Sequence, residues 1–275
     1  MGAAEPDNIV EGVTFSMVGV KQPDYPHVLV SETTPEGRKM REEMLRLRAL
    51  RIQAYRAQLP EAAGRDAGDP ISLRNYPTLA KFPILDVDPE HVLKELVFAN
   101  KFKSLPGVFA NLGGRYVSEG VKAAIERLET VAPIQFIPAS VRTQNGKLSA
   151  QYFLMHIKRL DDVIARRASA FEPRPVTNPN TGETFLFWNG PIRPKGQPLY
   201  EPGPERFVDL GKASGRHAIL TDGLNEAWIT PGIDRMHILN DVLFSQDLID
   251  AAGLRSDPAL DVFGLRCVER DVEKP

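Results

Sequence analysis

Two stretches of the sequence repeat one local pattern, in which an apolar, strand-like run leads through a serine into a short helix with one apolar face. The first stretch is residues 116–125 and the second is residues 243–252. Ser118 and Ser245 are typical helix N-caps, because a serine hydroxyl accepts a hydrogen bond from a backbone N–H that the first helical turn leaves unpaired. The pattern therefore predicts two short Ser-capped helices, each preceded by a strand.

Strand-like runs follow both units, at residues 134–138 and 260–265, and further β-type runs lie at 151–157 and 184–188. The sequence lacks the strict alternation of strands and helices that builds a doubly wound parallel sheet. We therefore expect an α+β fold with a mixed, mainly antiparallel β core and short helices. Two copies of a unit are too few to indicate a solenoid or a propeller.

The N-terminal segment has a pattern of its own. Residues 10–20 and 27–30 are typical of strands, and the prolines between them break pairing, so we expect a hairpin or a pair of edge strands. Residues 35–59 then have helical periodicity with no internal proline. We predict an N-terminal strand pair and basic helix over residues 1–60, followed by an α+β domain over residues 61–275.

The predicted helix at 35–59 is rich in arginine, with seven basic and two acidic residues from Arg38 to Arg56. Its apolar residues form two stripes. One stripe contains Met44, Leu47 and Ala54, and the other contains Leu45, Ala49, Ile52 and Leu59. Two interpretations stay open: the helix docks an acidic partner, or it packs on the core while its arginine stems cover the edges.

Proline signals mark two further segments. Asp88 and Pro89 are typical cap and first-turn residues, so we expect a helix over residues 90–99. Eight of the 23 prolines lie between residues 173 and 204, which predicts a loop or an extended excursion there.

Composition excludes several functional classes. The 34 basic and 36 acidic residues give a net charge of −2, so the chain lacks the positive excess of a non-specific nucleic-acid binder. The single cysteine, Cys267, excludes an internal disulfide framework, and we expect it to be a buried apolar residue. No apolar run approaches the roughly 20 residues of a membrane span, and no signal-peptide pattern is present. We expect a cytoplasmic protein with no membrane partner and no direct nucleic-acid partner.

The sequence contains none of the common catalytic or cofactor motifs, such as a dinucleotide fingerprint, a phosphate-binding loop, a nucleophile elbow or His-Glu-x-x-His. No histidine has the spacing of a ligand on a metal-binding helix, and we expect no catalytic residue, metal or cofactor. The histidines are His27, His91, His156, His217 and His237. A site assembled in space from dispersed His and Asp residues stays open. The alternative function is therefore a small-molecule-binding or hydrolytic enzyme.

Five stretches, taken in their order along the chain, resemble the polymorphic-toxin immunity family called immunity protein eleven. They are YVSEGVKAAIERLE, IQFIPASV, YFLMHIKRLDDVI, MHILNDVLFSQDLIDAAGL and DVFGLRCVE. The resemblance covers residues 68–269 and leaves out the basic helix and the proline-rich stretch. It implies a non-catalytic protein that binds one cognate antibacterial toxin, delivered by a contact-dependent system such as type VI secretion, and neutralises it by occlusion. Whether the protein forms a homodimer stays open.

One segment is strongly acidic, since residues 222–250 contain six acidic residues and one basic residue, a local net charge of −5. Charge complementarity of this kind raises association rates and selects partners, and an exposed tryptophan often anchors an interface. We hypothesise that this segment faces the toxin. Its candidate toxin-binding residues are Asp222, Glu226, Trp228, Asp234 and Asp241. The alternatives are a solvated face that the arginine helix neutralises, and an adaptor that docks through that helix.

Overall fold

A computed structural model of the chain arranges its strands in three sheets, which contain six, five and four strands within the described residues. The structure describes residues 8–21, 33–58, 86–100, 102–111, 114–128, 134–158, 160–161, 163–165, 168, 172–177, 184–189, 207–213, 217–221, 226–229, 236–238 and 242–270. The sheets are mixed but mainly antiparallel, and most helices are short. The predicted α+β fold is therefore confirmed.

The elements have the following bounds. The helices are α1 (Pro35–Gln58), α2 (Glu119–Arg127), α3 (Leu210–Ala213) and α4 (Gln246–Ala251), with 3₁₀ turns at Pro89–His91 and Leu254–Ser256. The strands are β1 (Ile9–Val20), β2 (Glu95–Phe98), β3 (Val108–Asn111), β4 (Gly114–Ser118), β5 (Ile134–Thr143), β6 (Ser149–Ile157), β7 (Leu160–Asp161), β8 (Glu172–Thr177), β9 (Thr184–Asn189), β10 (Phe207–Asp209), β11 (Ala218–Thr221), β12 (Glu226–Ile229), β13 (Met236–Ile238), β14 (Val242–Ser245) and β15 (Leu260–Val268).

The five-stranded sheet has the order β2-β5-β6-β4-β3. Strand β6 lies between β4 and β5 and runs antiparallel to both, while α2 connects β4 to β5. The outer strand β2 is parallel to β5, and β3 is antiparallel to β4. We call these strands together with α2 the first unit.

The six-stranded sheet repeats this arrangement in the order β10-β15-β1-β14-β11, with β7 added at one edge. Strand β1 lies between β14 and β15, antiparallel to both, and α4 connects β14 to β15. Strand β10 is parallel to β15, and β11 is antiparallel to β14. These five strands and α4 form the second unit, which has the first unit's topology except that its middle strand comes from the N-terminal segment.

Both predicted N-caps are confirmed. Ser118 Oγ accepts a hydrogen bond from Val121 N at 3.4 Å, and Ser245 Oγ accepts one from Leu248 N at 3.3 Å. The backbone N–H of each capping serine also donates to the carbonyl oxygen of the residue that precedes the neighbouring strand. That strand is β3 in the first unit, where the distance is 2.8 Å, and β11 in the second unit, where it is 3.0 Å. The repeated sequence pattern therefore corresponds to equivalent positions in two units of one topology.

The main core joins the two units. Helix α2 contacts β4 and β6, α4 contacts β1 and β14, and the two helices contact each other. In the first unit the Phe109 ring lies 4.8 Å from Phe98, 5.1 Å from Tyr116 and 5.6 Å from Tyr152, measured between ring centroids. Such aromatic pairs each contribute about 0.5–1.5 kcal/mol beyond area burial. Leu47 of α1 is buried in the same core, so α1 packs on it.

Two local predictions are wrong. Strand β1 is a central strand and not an edge strand, since it pairs with both β14 and β15. Local sequence does not indicate this pairing, because both partners lie more than 200 residues away in the chain. Asp88 does cap a turn, since its Oδ1 accepts a hydrogen bond from Glu90 N at 2.9 Å. The turn is a single 3₁₀ turn rather than a helix over 90–99, because the apolar residues that follow it pair with β5 as strand β2.

The described parts of the proline-rich stretch are strands, where a loop or an extended excursion was predicted. Residues Glu172–Thr177 and Thr184–Asn189 pair as the antiparallel strands β8 and β9, and β8 lies at the edge of the four-stranded sheet, where proline is tolerated. The predicted strand at 27–30 lies outside the described residues. The division of the chain at residue 60 stays a prediction. In the structure, β1 and α1 both contribute residues to the core shared by the two units.

Candidate partner-binding surfaces

The predicted acidic surface falls partly within the described residues. Asp222, Asp234 and Asp241 lie outside them. Glu226 and Trp228 belong to β12, which pairs with β9 on one side and with β13 on the other. Strands β12 and β13 follow β11 and precede β14, so they are inserted into the second unit. That the five residues bind a toxin stays a prediction.

The described end of the acidic segment is helix α4. Asp247 and Asp250 are both exposed there. The Gln246 side chain connects this helix to its surroundings, because its amide nitrogen donates to Asp250 Oδ1 at 2.7 Å while its oxygen accepts from Arg255 at 2.6 Å and from Thr14 at 3.1 Å. The acidic residues of α4 therefore belong to a polar, solvent-facing surface on the second unit.

One Ser–His pair approaches the geometry of a nucleophile and its base. His217 Nδ1 lies 2.9 Å from Ser245 Oγ. The same hydroxyl accepts the Leu248 N–H as the cap of α4, and Ser118 serves as a cap in the first unit with a glycine, Gly107, at the position equivalent to His217. The shared role of the two serines is therefore helix capping, and no sequence pattern indicated the histidine contact.

The side chains with the largest pKa shifts are held in their neutral forms. Burial raises the pKa of Tyr116 to about 12 and the pKa of Cys267 to about 11. Burial also raises the pKa of Tyr152, whose hydroxyl donates to Pro106 O at 2.7 Å. An activated nucleophile needs the opposite, a lowered pKa in an accessible place. Cys267 is fully buried, as predicted.

The described histidines do not gather with acidic residues into a metal site. Within the described residues, no group of three or more His, Cys, Asp or Glu side chains is placed to hold a metal ion. His156 is buried, and His91 Nε2 lies 4.0 Å from Asp88 Oδ2. His27 lies outside the described residues, and His237 is described only by its place in β13.

An aromatic surface beside α2 was not anticipated from the sequence. Lys122 Nζ lies 5.1 Å from the ring centroid of Phe153 and 5.5 Å from that of Phe136, and it also contacts Glu126 Oε1 at 2.6 Å. Both phenylalanines are partly buried. The only sequence signal was the alternation of apolar residues in β5 and β6, which does not distinguish the core face from a covered outer face.

Helix α1 turns described residues of one predicted apolar stripe to the core and described residues of the other to solvent. Leu47 is 3% exposed, whereas Leu45 is 44% exposed and Ala49 is also exposed. Arg46 lies beside this outward stripe and forms a bidentate ion pair with Glu43, at 2.6 and 2.7 Å. Hydrogen bonding to Arg46 lowers the pKa of Glu43, so the carboxylate of this pair stays charged to lower pH than an isolated glutamate does.

Comparison with known protein families shows which family the chain belongs to. The model of the immunity protein family Imm11 matches residues 36–187, which is just over half of the chain. The chain belongs to the Imm11 immunity protein family. The match confirms the resemblance seen in the sequence. Comparison with curated proteins gave no match. None of the described helices has the length and hydropathy of a membrane span.

The extent of the Imm11 match corrects where the resemblance was placed. It begins at residue 36, so it includes α1, and it ends at residue 187, so it includes the whole first unit and most of the β8–β9 pair. The expected resemblance over 68–269 had left α1 out. The predicted toxin-binding residues 222–241 lie beyond the match. This Imm11 member is thus an immunity protein against a toxin. Its own predicted toxin-binding residues lie outside the half of the chain that the family model matches.

Proposed function

We propose that this Imm11 protein binds one cognate antibacterial toxin and neutralises it by stoichiometric occlusion, in the cytoplasm of the cell that produces the toxin. Membership of the immunity family is the observation that carries the proposal. The toxin is expected to be a polymorphic toxin, delivered by a contact-dependent system such as type VI secretion. Occlusion requires a surface of roughly 800 Å² on each partner and no chemistry.

The state of the titratable side chains supports binding over catalysis. The large pKa shifts of Tyr116 and Cys267 both arise from burial and both favour the neutral form. Ser245 Oγ, which lies 2.9 Å from His217 Nδ1, is engaged as a helix cap. An enzyme that reverses the product of the toxin is the alternative, and it differs in needing no stable complex.

The acidic segment over residues 222–250 is the proposed toxin-facing surface, with Asp222, Glu226, Asp234 and Asp241 as its acidic contact residues. Asp247 and Asp250 support this, because both are exposed and they are two of the six acidic residues that give residues 222–250 their net charge of −5. Toxins that cleave nucleic acid present basic clefts, and opposite charge speeds association and selects the partner. Trp228 is the proposed aromatic anchor, since tryptophan is enriched among residues that dominate binding energy.

Replacing three of the proposed contact residues tests this surface. The triple variant Glu226→Ala, Asp234→Ala and Asp241→Ala is expected to bind the toxin at least tenfold more weakly, about 1.4 kcal/mol. Affinity can be measured by isothermal titration calorimetry with the protein encoded by the neighbouring gene. The control is Glu119→Ala, which removes an exposed acidic residue from the first unit. Unchanged affinity in the triple variant would remove the acidic segment from the interface.

A further inference from the structure

Helix α1 is apolar on two sides, and the core uses only one of them. Leu47 is buried in the main core, and Met40 and Met44 pack against it. On the opposite side of α1, Leu45 is 44% exposed. Ala49, one turn beyond Leu45, is exposed as well. The outward side of α1 therefore carries apolar surface that the described residues leave uncovered.

The spacing of this outward stripe fits a helix or a flat apolar ridge. Leu45 and Ala49 are four residues apart, one of the intervals at which helices pack against each other. Both positions lie inside the 24-residue helix α1. The small side chain of Ala49 allows a partner backbone to approach closely.

Charge selects the kind of partner. Four exposed basic residues surround the stripe, namely Arg38, Lys39, Arg41 and Arg46, and the whole segment 38–56 has seven basic and two acidic residues. A second copy of α1 would bring these like charges together, which disfavours self-pairing. A nucleic-acid backbone would complement the positive charge but would offer no apolar surface to Leu45. An acidic protein segment with apolar residues on one face satisfies both requirements.

We propose that the outward stripe of α1, centred on Leu45 and Ala49, is a docking surface for an acidic, apolar-faced segment of the toxin. This inference rests on the proposed function and adds a second contact, on the family-matched first half of the chain. It lies apart in sequence from the acidic residues 222–241. The toxin would thus be held by two surfaces of opposite charge, which gives selectivity against partners that carry only one.

The test compares two charge insertions at exposed apolar sites. Leu45→Glu places a negative charge in the proposed surface, and Val13→Glu, at 39% exposure on β1, is the matched control. Binding to the protein encoded by the neighbouring gene is measured by titration calorimetry, and folding by circular dichroism. We expect at least a tenfold loss of affinity for Leu45→Glu and less than a twofold change for Val13→Glu, with both variants folded.

Other outcomes overturn the inference in distinguishable ways. Wild-type affinity in folded Leu45→Glu removes α1 from the interface and leaves the proposed function intact. A wild-type dimer in analytical ultracentrifugation that Leu45→Glu dissociates makes a second copy the occupant. Binding of a mixed-sequence DNA oligonucleotide that Arg41→Glu abolishes and Leu45→Glu retains makes nucleic acid the occupant. Failure of the wild-type protein to bind the toxin at all overturns the proposed function as well.

Discussion

The two units share one topology but obtain their middle strands differently. In the first unit, β6 follows β5 through a short turn, and the two strands pair over nine consecutive residues. In the second unit, β1 comes from the other end of the chain, and its pairing with β15 shifts between Val10 and Phe15. The second unit is therefore a permuted version of the first, and its integrity depends on contacts between distant parts of the sequence.

The middle strand of the second unit, β1, also has an irregular backbone and a buried hydroxyl group without a partner among the described residues. Gly12 has a φ of 76°, a left-handed conformation that glycine adopts without the cost that other residues incur, and it lies within the irregular part of β1. The buried Ser16 hydroxyl has no hydrogen-bond partner within the described residues. The second unit also holds the inserted strands β12 and β13. The inserted strands, the irregular part of β1 and the buried Ser16 hydroxyl thus all lie in the second unit, while the family match covers the first unit.

Deleting β1 is expected to have the largest effect. A chain that lacks residues 1–21 leaves β14 and β15 without the strand between them, so we expect the second unit to lose its cooperative unfolding transition. Thermal denaturation followed by circular dichroism, with hydrogen exchange of the β14 and β15 amides, measures this. The first unit contains its own middle strand and should retain more protection.

A circular permutant provides the control for that deletion. Glu269 N donates to Asn8 O at 3.0 Å, so the end of β15 lies next to the beginning of β1. Moving residues 8–21 behind residue 270 through a short glycine-containing turn reproduces the β5–β6 connection of the first unit. We expect the permuted chain to fold with a melting temperature near that of the wild type. A permutant as unstable as the deletion would contradict the equivalence of the units.

A smaller effect is expected at alkaline pH, where the free energy of unfolding should fall over a different pH range for each unit. Burial raises the pKa of Tyr116 in the first unit from its ordinary value of 10 to about 12. The folded state favours the neutral phenol, so its contribution is complete below pH 10 and falls by about 2–3 kcal/mol as the pH rises to 12. Tyr116→Phe should flatten the fall in unfolding free energy over this range.

The corresponding variant of the second unit is Cys267→Ala. The pKa of Cys267 is raised from 9 to about 11, so this variant should flatten the stability profile between pH 9 and pH 11 instead. Urea denaturation at a series of pH values gives both profiles. Identical profiles for the wild type and Tyr116→Phe would show that the phenol ionises as easily in the folded state as in the unfolded state.

Removing the two caps should have the smallest effect and should differ between the units. Ser118→Ala is expected to cost about 1 kcal/mol, the usual value for a lost N-cap. Ser245→Ala is expected to cost about 1 kcal/mol more, because it also removes the partner of His217 Nδ1 at 2.9 Å. Urea denaturation measures both, and Asn at either position should restore most of the loss. Equal losses would show that the histidine contact contributes nothing.

Local features of the fold were predictable and long-range pairing was not. The Ser118 and Ser245 caps follow from interactions within four residues, so the sequence predicted them correctly. The pairing of β1 with β15 joins residues about 250 positions apart, and the same residues were compatible with an edge strand. After Asp88 and Pro89 the capping signal was real, but tertiary pairing with β5 determined that a strand follows.

The candidate surfaces were predictable to a similar degree. The sequence showed that the helix at 35–59 has two apolar stripes, but only packing determined that Leu47 is buried and Leu45 exposed. The acidic segment was visible as a charge imbalance, which carries no information on which residues share a surface. The contacts of Lys122 with Phe136 and Phe153 join α2 to two strands, and no local pattern indicates them.

Co-expression with the toxin tests immunity by binding most directly. The product of the neighbouring gene is induced in a sensitive bacterium with and without this Imm11 protein, and growth is measured together with the stoichiometry of any co-purified complex. Occlusion predicts restored growth and a stable 1:1 or 2:2 complex. Restored growth without a complex would contradict occlusion and indicate an enzyme that reverses the toxin's product, and absence of rescue would contradict immunity towards that toxin.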